Sequence, residues 1–371
     1  MKAAWQLKSI GDACEVINGG TPKTGVAGYW DGVHQWITPA EMGKRRTPYI
    51  AQTERTITDE GIQNSSARLL PRHSVILSSR APIGHLAINT VPMATNQGCK
   101  GLVPREGLDH KFLYYYLMNN VALLNDLGTG ATFKELSGGK LKEVSLPVPP
   151  IAEQQRIVAI LDQSFDGIAK AHANAEKNLK NARDLFDSTL SAVTGERGEL
   201  GDHVTIKTGK LDANAASEGG LYPFFTCAKE IYSIDHYAFD CEAILLAGNN
   251  AVGDFNVKHY SGKFNAYQRT YVITITDERK LLYRFLYYQM LKSLKLFKNQ
   301  SVGAGTKFLK IGMIKGLGIS LPPIAEQKHI VGMLDAVLEE SQSLESIYKL
   351  KLTALNNLKK SYLHQAFSGN L

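Results

Sequence analysis

The hexapeptide Pro149-Pro150-Ile151-Ala152-Glu153-Gln154 returns unchanged as Pro322-Pro323-Ile324-Ala325-Glu326-Gln327, 173 residues on. The same offset carries Phe112, Tyr114 and Tyr115 onto Phe285, Tyr287 and Tyr288. It also carries Gly130, Ala131, Lys134 and Leu136 onto Gly303, Ala304, Lys307 and Leu309. Beyond the prolines it pairs Ile157, Val158, Leu161 and Asp162 with Ile330, Val331, Leu334 and Asp335. A fixed offset sustained this far marks a tandem duplication, and such a chain must build one supersecondary unit twice. Its 371 residues also exceed the usual limit of a single core, so two or more domains are expected.

Each repeat opens with a Gly- and β-rich block, with strand candidates such as 74–77 and 271–276 between turn signals. An aromatic, helix-like stretch follows (110–125 and 281–298), then a glycine loop (128–130 and 303–305), a short strand and the Pro-Pro stop. A long segment without internal proline comes last, 151–194 and 324–367. In the first, apolar or small residues fall at 151, 158, 161, 165, 168, 175, 179, 182, 186 and 193. This spacing predicts a heptad stripe, interrupted at Gln154, His172 and Thr189. The second carries Ile324, Val331, Leu334, Leu338, Leu344, Tyr348, Leu352, Leu355 and Tyr362, with a drift near Ser341. Pro150 and Pro323 suit a first helical turn, and 44 helical residues span about 66 Å.

Two amphipathic helices could each pack on their own domain, but two matched helices of equal length favour packing on each other, antiparallel. The expected class is therefore α+β: two globular blocks, each followed by a long α-helix, the helices forming an antiparallel coiled coil within a pseudo-two-fold repeat. The boundaries fall at 1–148, 149–196, 197–320 and 321–371. The tail Ser368-Gly369-Asn370-Leu371 would lead into Leu7–Asp12 much as Gly195–Asp202 leads into the second block, so the chain reads as a ring opened at one junction.

The net charge of +7 is unevenly distributed. Residues 1–150 hold 16 Lys+Arg against 12 Asp+Glu, and 201–320 hold 15 against 10. The intervening 151–200 hold 6 against 8, and 321–371 hold 5 against 5. Two basic blocks separated by uncharged or slightly acidic spacers point to a polyanion held at two places. Cys14, Cys99, Cys227 and Cys241 form no CxxC pair, which argues against a zinc site or disulfide framework and fits a reducing cytoplasm. No apolar run is long enough for a membrane span, and the opening residues lack a signal-peptide core.

The stretch Gly19-Gly20-Thr21-Pro22-Lys23, followed by Tyr29-Trp30 and Trp36-Ile37-Thr38, resembles the opening of a target-recognition domain of Type I restriction–modification specificity subunits. The Pro-Pro-Ile-x-Glu-Gln entry into a long helix, present twice, resembles that family's two conserved regions. The resemblance covers essentially the whole chain and rests on the duplicated architecture. It implies that each block reads one half of a bipartite, asymmetric site in double-stranded DNA. It implies too that the paired helices set the unread gap and dock two methyltransferase subunits. Those partners would bind S-adenosylmethionine and methylate adenine, while restriction subunits translocate and cut; this chain would supply no chemistry and no cofactor of its own. Two linked weak binders gain affinity only when their linker matches the site spacing, so a stiff helix pair suits such a task.

Base edges are read by Arg, Lys, Asn and Gln, and phosphates are held foremost by Lys and Arg. In the first block the candidates are Lys23, Lys44, Arg45, Arg46, Arg80, Asn96, Gln97 and Lys100. In the second they are Lys207, Lys210, Asn249, Asn250, Lys258, Lys263, Gln268 and Arg269. Gly84 aligns with Gly253 and Gln97 with Gln268, which makes Arg80 the counterpart of Asn249. Lys134 and Lys307, just after the glycine loops, are candidate phosphate clamps. The paired tyrosines sit at helical spacing beside Phe112, Leu113 and Leu117 and are expected in the core.

Three other readings remain at this point: a specificity subunit of another multi-subunit DNA modification system, a structural coiled-coil adaptor that binds only proteins, against which the charge segregation argues, and a compact S-adenosylmethionine-dependent DNA methyltransferase. The loop Asp126-Leu127-Gly128-Thr129-Gly130 superficially fits the last, but a helix-like segment precedes it where a buried strand is needed. No Asn-Pro-Pro-aromatic motif, phosphate loop, nuclease acidic pair or metal-ligand histidine spacing occurs.

Overall fold

The computed structural model describes residues 5–45, 47–130, 134–192 and 196–371. Its tertiary contacts divide the chain into two units: Met1–Asn174 with Lys351–Leu371, and Ala175–Leu350. The fold is α+β, as the repeat predicts.

In the first unit five strands lie in the order Cys14–Asn18, Cys99–Pro104, Val75–Ser79, Ile83–Asn89, Tyr49–Ile50. A smaller sheet joins Arg55–Ile57, Trp30–Ile37 and Met93–Thr95. The central run Val75-Ile76-Leu77 is wholly buried because both its faces are covered. Alternate side chains point to opposite faces of a strand. Val75 and Leu77 therefore join Phe112, Leu113 and Leu117 of the helix His110–Asn119, while Ile76 joins Ile37, Met42, Ile50 and Leu70. The second unit repeats this with a six-stranded sheet, Val204–Thr208, Thr270–Ile275, Phe239–Ala247, Val257–Ala266, Tyr222–Phe225, Tyr232–Ile234. Ile244 and Leu246 meet Phe285 of the helix Tyr283–Gln300, and Ala243 and Leu245 meet Phe225 and Phe264. The predicted strands 74–77 and 271–276 are Val75–Ser79 and Thr270–Ile275.

The aromatic stretch of the first unit is not one helix. It breaks at Asn120 (φ −104°, ψ 16°), whose side-chain amide donates back to the Tyr116 carbonyl at 2.8 Å, and resumes as Val121–Leu127. An asparagine that bonds its own backbone competes with helix continuation. Gly84 (φ +112°) lies under the break, where a β-carbon would come within 2.5 Å of Val121 Cγ1.

The duplicated residues are those that join the aromatic helix to the long one. Gln154, fully buried, accepts from Asp109 N at 2.8 Å and donates to the carbonyls of Gly107 and Pro149, both at 2.8 Å. Gln327 repeats all three bonds, accepting from Leu282 N at 3.0 Å and donating to Lys280 and Pro322 carbonyls at 2.7 and 2.8 Å. Two turns further on, Asp162 accepts from the Tyr115 hydroxyl and the Lys111 ammonium, while Asp335 accepts from the Tyr288 hydroxyl and from Arg284. Gln154 thus interrupts the apolar stripe because it is a clamp. Gln154→Ala and Gln327→Ala are each expected to destabilise their own unit by about 2–4 kcal/mol, since three backbone groups lose their partner. Chemical denaturation checks this; midpoints unchanged in both variants would refute the clamp.

The long helices are Ile151–Ser191 and Ile324–Ser368, and they pack on each other. Partner numbers fall as numbers rise: Phe165 meets Lys359, Asn178 meets Tyr348, and Arg183 meets Glu345. The pair is antiparallel. Along the first helix Leu161, Ala175, Ala182 and Phe186 are buried, but Ile151 is 44% exposed because the first turn turns Gln154 and Ile157 inward. In the second, the drift near Ser341 coincides with a buried serine hydroxyl that has no partner among the described residues. The helix ends enter the cores. Phe367 packs edge-on against Phe112 and Tyr116 in the first unit, and Phe186 packs against Tyr288 in the second.

Candidate nucleic-acid interface

In each unit three segments meet at the end of the central strand. Ser79 N donates to Gly98 O at 2.8 Å, and Ser79 O accepts from Leu136 N at 2.9 Å. Gly248 repeats both bonds, donating to Arg269 O at 2.8 Å and accepting from Leu309 N at 2.9 Å. The isolated bridge Thr129–Glu135 likewise returns as Val302–Phe308. These bonds make Arg80 the counterpart of Asn249, Gln97 of Gln268, Gly98 of Arg269, Lys134 of Lys307 and Glu135 of Phe308.

Around this junction the first unit gathers Arg80, Asn96, Gln97, Lys100 and Lys134. Arg80 follows directly on the strand, and its Nη1 lies 3.7 Å from Glu135 Oε2. Asn96 Oδ1 accepts from Gly98 N at 2.7 Å, which shapes the turn, and Gln97 accepts from the Thr21 hydroxyl. Lys100 is buried in the strand Cys99–Pro104, and that burial pulls its amine below the usual range while the Glu135 carboxylate opposes the shift. Lys134 is exposed beside Glu135. Lys23 is exposed on the loop whose carbonyl accepts from Trp30 Nε1 at 3.3 Å. Lys44 and Arg45 follow the short helix Pro39–Gly43. Lys44 pairs with Glu54 at 2.9 Å and Arg45 with Glu41 at 3.4 Å, where burial raises the Glu41 carboxyl. Arg46 lies outside the described residues.

The second unit opens two adjoining grooves, of about 740 and 410 Å³, that share Thr208 and Ile311. Lys207 and Lys210 line the larger; Gln268, Arg269 and Lys310 line the smaller. Neither lining contains an acidic side chain. Asn249 and Asn250 pair with Phe308 and Lys307 at the rim, where Asn250 Oδ1 accepts from Val252 N and Asp254 N. Gln268 Nε2 donates to Asp212 Oδ1, and the Arg269 guanidinium sits 5.5 Å from the centre of the Phe308 ring. Two further candidates are also engaged within the protein. Lys258 donates to the Ala228 carbonyl and to Asn256 Oδ1, both at 2.6 Å, and burial lowers its amine. Lys263 lies 4.7 Å over the ring of Tyr237.

Lys310 is absent from the sequence-based set. Its counterpart by the repeat, Ser137, accepts from Lys140 N and caps a helix, so the duplication carried no signal for a basic residue there. The loop 128–130 follows the helix Val121–Leu127, and a β-carbon on Gly128 would come within 2.6 Å of Ile83 Cδ1, so its first glycine is packed against protein. All four cysteines are free, and among the described residues no group of His, Cys, Asp or Glu is placed to hold a metal. Among the same residues no helix is long and apolar enough to cross a membrane.

The family described as "Type I restriction modification DNA specificity domain" matches residues 2–180 and again 193–352. The Type I restriction enzyme MjaIX specificity subunit of Methanocaldococcus jannaschii is 39% identical over 184 residues, 49% of this chain and 43% of that protein. The EcoDI specificity subunit of Escherichia coli is 39% identical over 173 residues, 47% of this chain and 38% of that protein. The matched part thus spans less than half the length of either relative. A solved chain from work on assembly and conformational transition of the type I R-M system superposes with TM-score 0.81 at 17% identity, covering 100% of this chain and 99% of that one. The HsdS subunit of Thermoanaerobacter tengcongensis gives 0.60 at 16% identity, covering 100% and 98%. Both likenesses concern the fold. With each half of its duplication matched separately, this chain belongs to the family of Type I restriction–modification specificity subunits.

Proposed function

We propose that this chain reads a bipartite, asymmetric sequence in double-stranded DNA, one half-site per unit. It thereby gives two methyltransferase subunits and the restriction subunits of a Type I enzyme their address. The observation that carries this is the strand-end junction built twice from the same backbone bonds but with different polar side chains. Arg80, Gln97 and Lys134 occupy one copy; Asn249, Gln268, Arg269 and Lys307 occupy the other. One scaffold with two sets of base-reading residue types suits two unlike half-sites. The acid-free lining of the grooves in the second unit favours a polyanion there.

On this reading the paired helices set the unread gap and dock the partners. S-adenosylmethionine and the methyl transfer belong to those partners, and Lys134, Lys307 and Lys310 hold phosphates. Methylome sequencing of a host that expresses the chain with its modification partner tests the proposal. The expected result is methyl-adenine in both halves of one interrupted motif. Methylation confined to a short continuous motif, or none, would refute it. Duplex binding by the assembled complex is expected to fall steeply between 50 and 200 mM salt, on the order of 10³-fold if about six phosphates are held.

A further inference from the structure

We infer that Arg80 and Arg269 bring a guanidinium to the same place in the two units from different strands, and that each reads a guanine there. The inference rests on the proposed reading of DNA, and it goes further by naming the residue and the base.

Arg80 follows the end of the strand Val75–Ser79, whereas Arg269 stands at the position of Gly98, in the turn before the neighbouring strand. A β-carbon built on Gly98 would lie 3.2 Å from Arg80 Nε. Arg80 Nε therefore lies beside the place from which the counterpart residue Arg269 projects its own side chain. The two guanidinium groups also face the same neighbouring position. Arg80 pairs with Glu135 at 3.7 Å, and Arg269 lies 5.5 Å from the ring of Phe308, the counterpart of Glu135. The duplication has kept a guanidinium at one place while exchanging which strand delivers it, Asn249 standing where Arg80 does and Gly98 where Arg269 does.

The neighbours decide what such a group contacts. A phosphate brought to Arg80 would also meet the Glu135 carboxylate, a like charge. A guanine edge offers O6 and N7 acceptors that match the planar fork of arginine, and the carboxylate then orients the fork. In the second unit the guanidinium lies 5.5 Å from the centre of the Phe308 ring, and on this inference that cation–π contact takes the orienting role of the carboxylate.

The test compares the full complex carrying wild-type chain with complexes carrying R80A, R80K, R269A or R269K. The probe is host genomic DNA read by methylome sequencing. Each half of the wild-type motif is expected to contain a guanine that R80A relaxes in one half and R269A in the other, with a loss of about ten-fold or more in preference at that position alone. The lysine variants are expected to relax the same position, because lysine lacks the fork. A motif left unchanged by R80A and R269A, with lysine restoring a uniform loss of methylation, would make both arginines phosphate contacts and overturn the inference. Should the wild-type complex mark no interrupted motif at all, the functional proposal itself fails, a result distinct from the first.

Discussion

Deleting residues 351–371 is expected to unfold the first unit, although the deleted segment begins 177 residues in sequence after Asn174, where that unit's continuous part ends. Leu363, Ala366 and Phe367 are buried in the core that Phe112, Leu113 and Tyr116 build, with Tyr362 and Leu371 packed against it. Outside the core, Arg156 Nη2 donates to the Leu371 carbonyl at 2.7 Å and Lys359 lies 5.0 Å over Phe165. Truncating one buried phenylalanine costs about 3–5 kcal/mol, and one buried leucine about 2–5. The loss is comparable with the whole stability of a domain, about 5–15 kcal/mol. Phe367→Ala alone is expected to lower the stability of the first unit by about 3–5 kcal/mol. Hydrogen exchange measures both effects. Protection is expected to be lost in the helix His110–Asn119 and its sheet and retained in the helix Tyr283–Gln300, whose unit ends at Leu350. Full protection of residues 110–119 after the deletion would show that the segment merely covers a finished core.

Exchanging residues 201–320 for the matching block of a relative is expected to rewrite one half of the methylated motif and leave the other half as it was. Each mismatched base pair in a specific site costs about 1–3 kcal/mol, so a half-site of three or four pairs carries enough discrimination for a complete switch. The graft has structural conditions. Phe186, Leu190, Ile330 and Leu334 of the long helices belong to the core of the second unit, and Tyr288 bonds Asp335. A donor block must therefore keep the tyrosine at 288 and the apolar face of the aromatic helix. Methylome sequencing reads the outcome. A change in both halves, or in neither, would show that sequence reading is not divided one half-site to a unit.

Much of the architecture was legible because a duplication exposes its own constraints. The repeated Gln154 and Gln327 marked a contact before its nature was known, since replacing a buried amide that serves three backbone groups leaves all three without it at either copy. The paired tyrosines were recognisable as core from helical spacing alone, and Tyr288 is fully buried. The break at Asn120 was not legible, because whether asparagine ends a helix depends on what its side chain and neighbours meet, here Tyr116 and Gly84. Nor did residue type separate Lys258, committed to Ala228 and Asn256, from Lys207 and Lys210, which line a groove. Charge is a property of the residue; availability is a property of its surroundings.

Taken alone, the sequence determined the duplication, the α+β class, the two long helices and the family, because periodicity and exact recurrence are local properties that survive without coordinates. The tertiary structure alone decided that residues 351–371 finish the first unit, that Gln154 is a clamp inside an apolar stripe, and that Arg80 and Arg269 converge on one position from different strands. Those outcomes depend on contacts between residues far apart in the chain, and no local pattern specifies which distant segment will supply the missing wall of a core or the partner of a buried polar group.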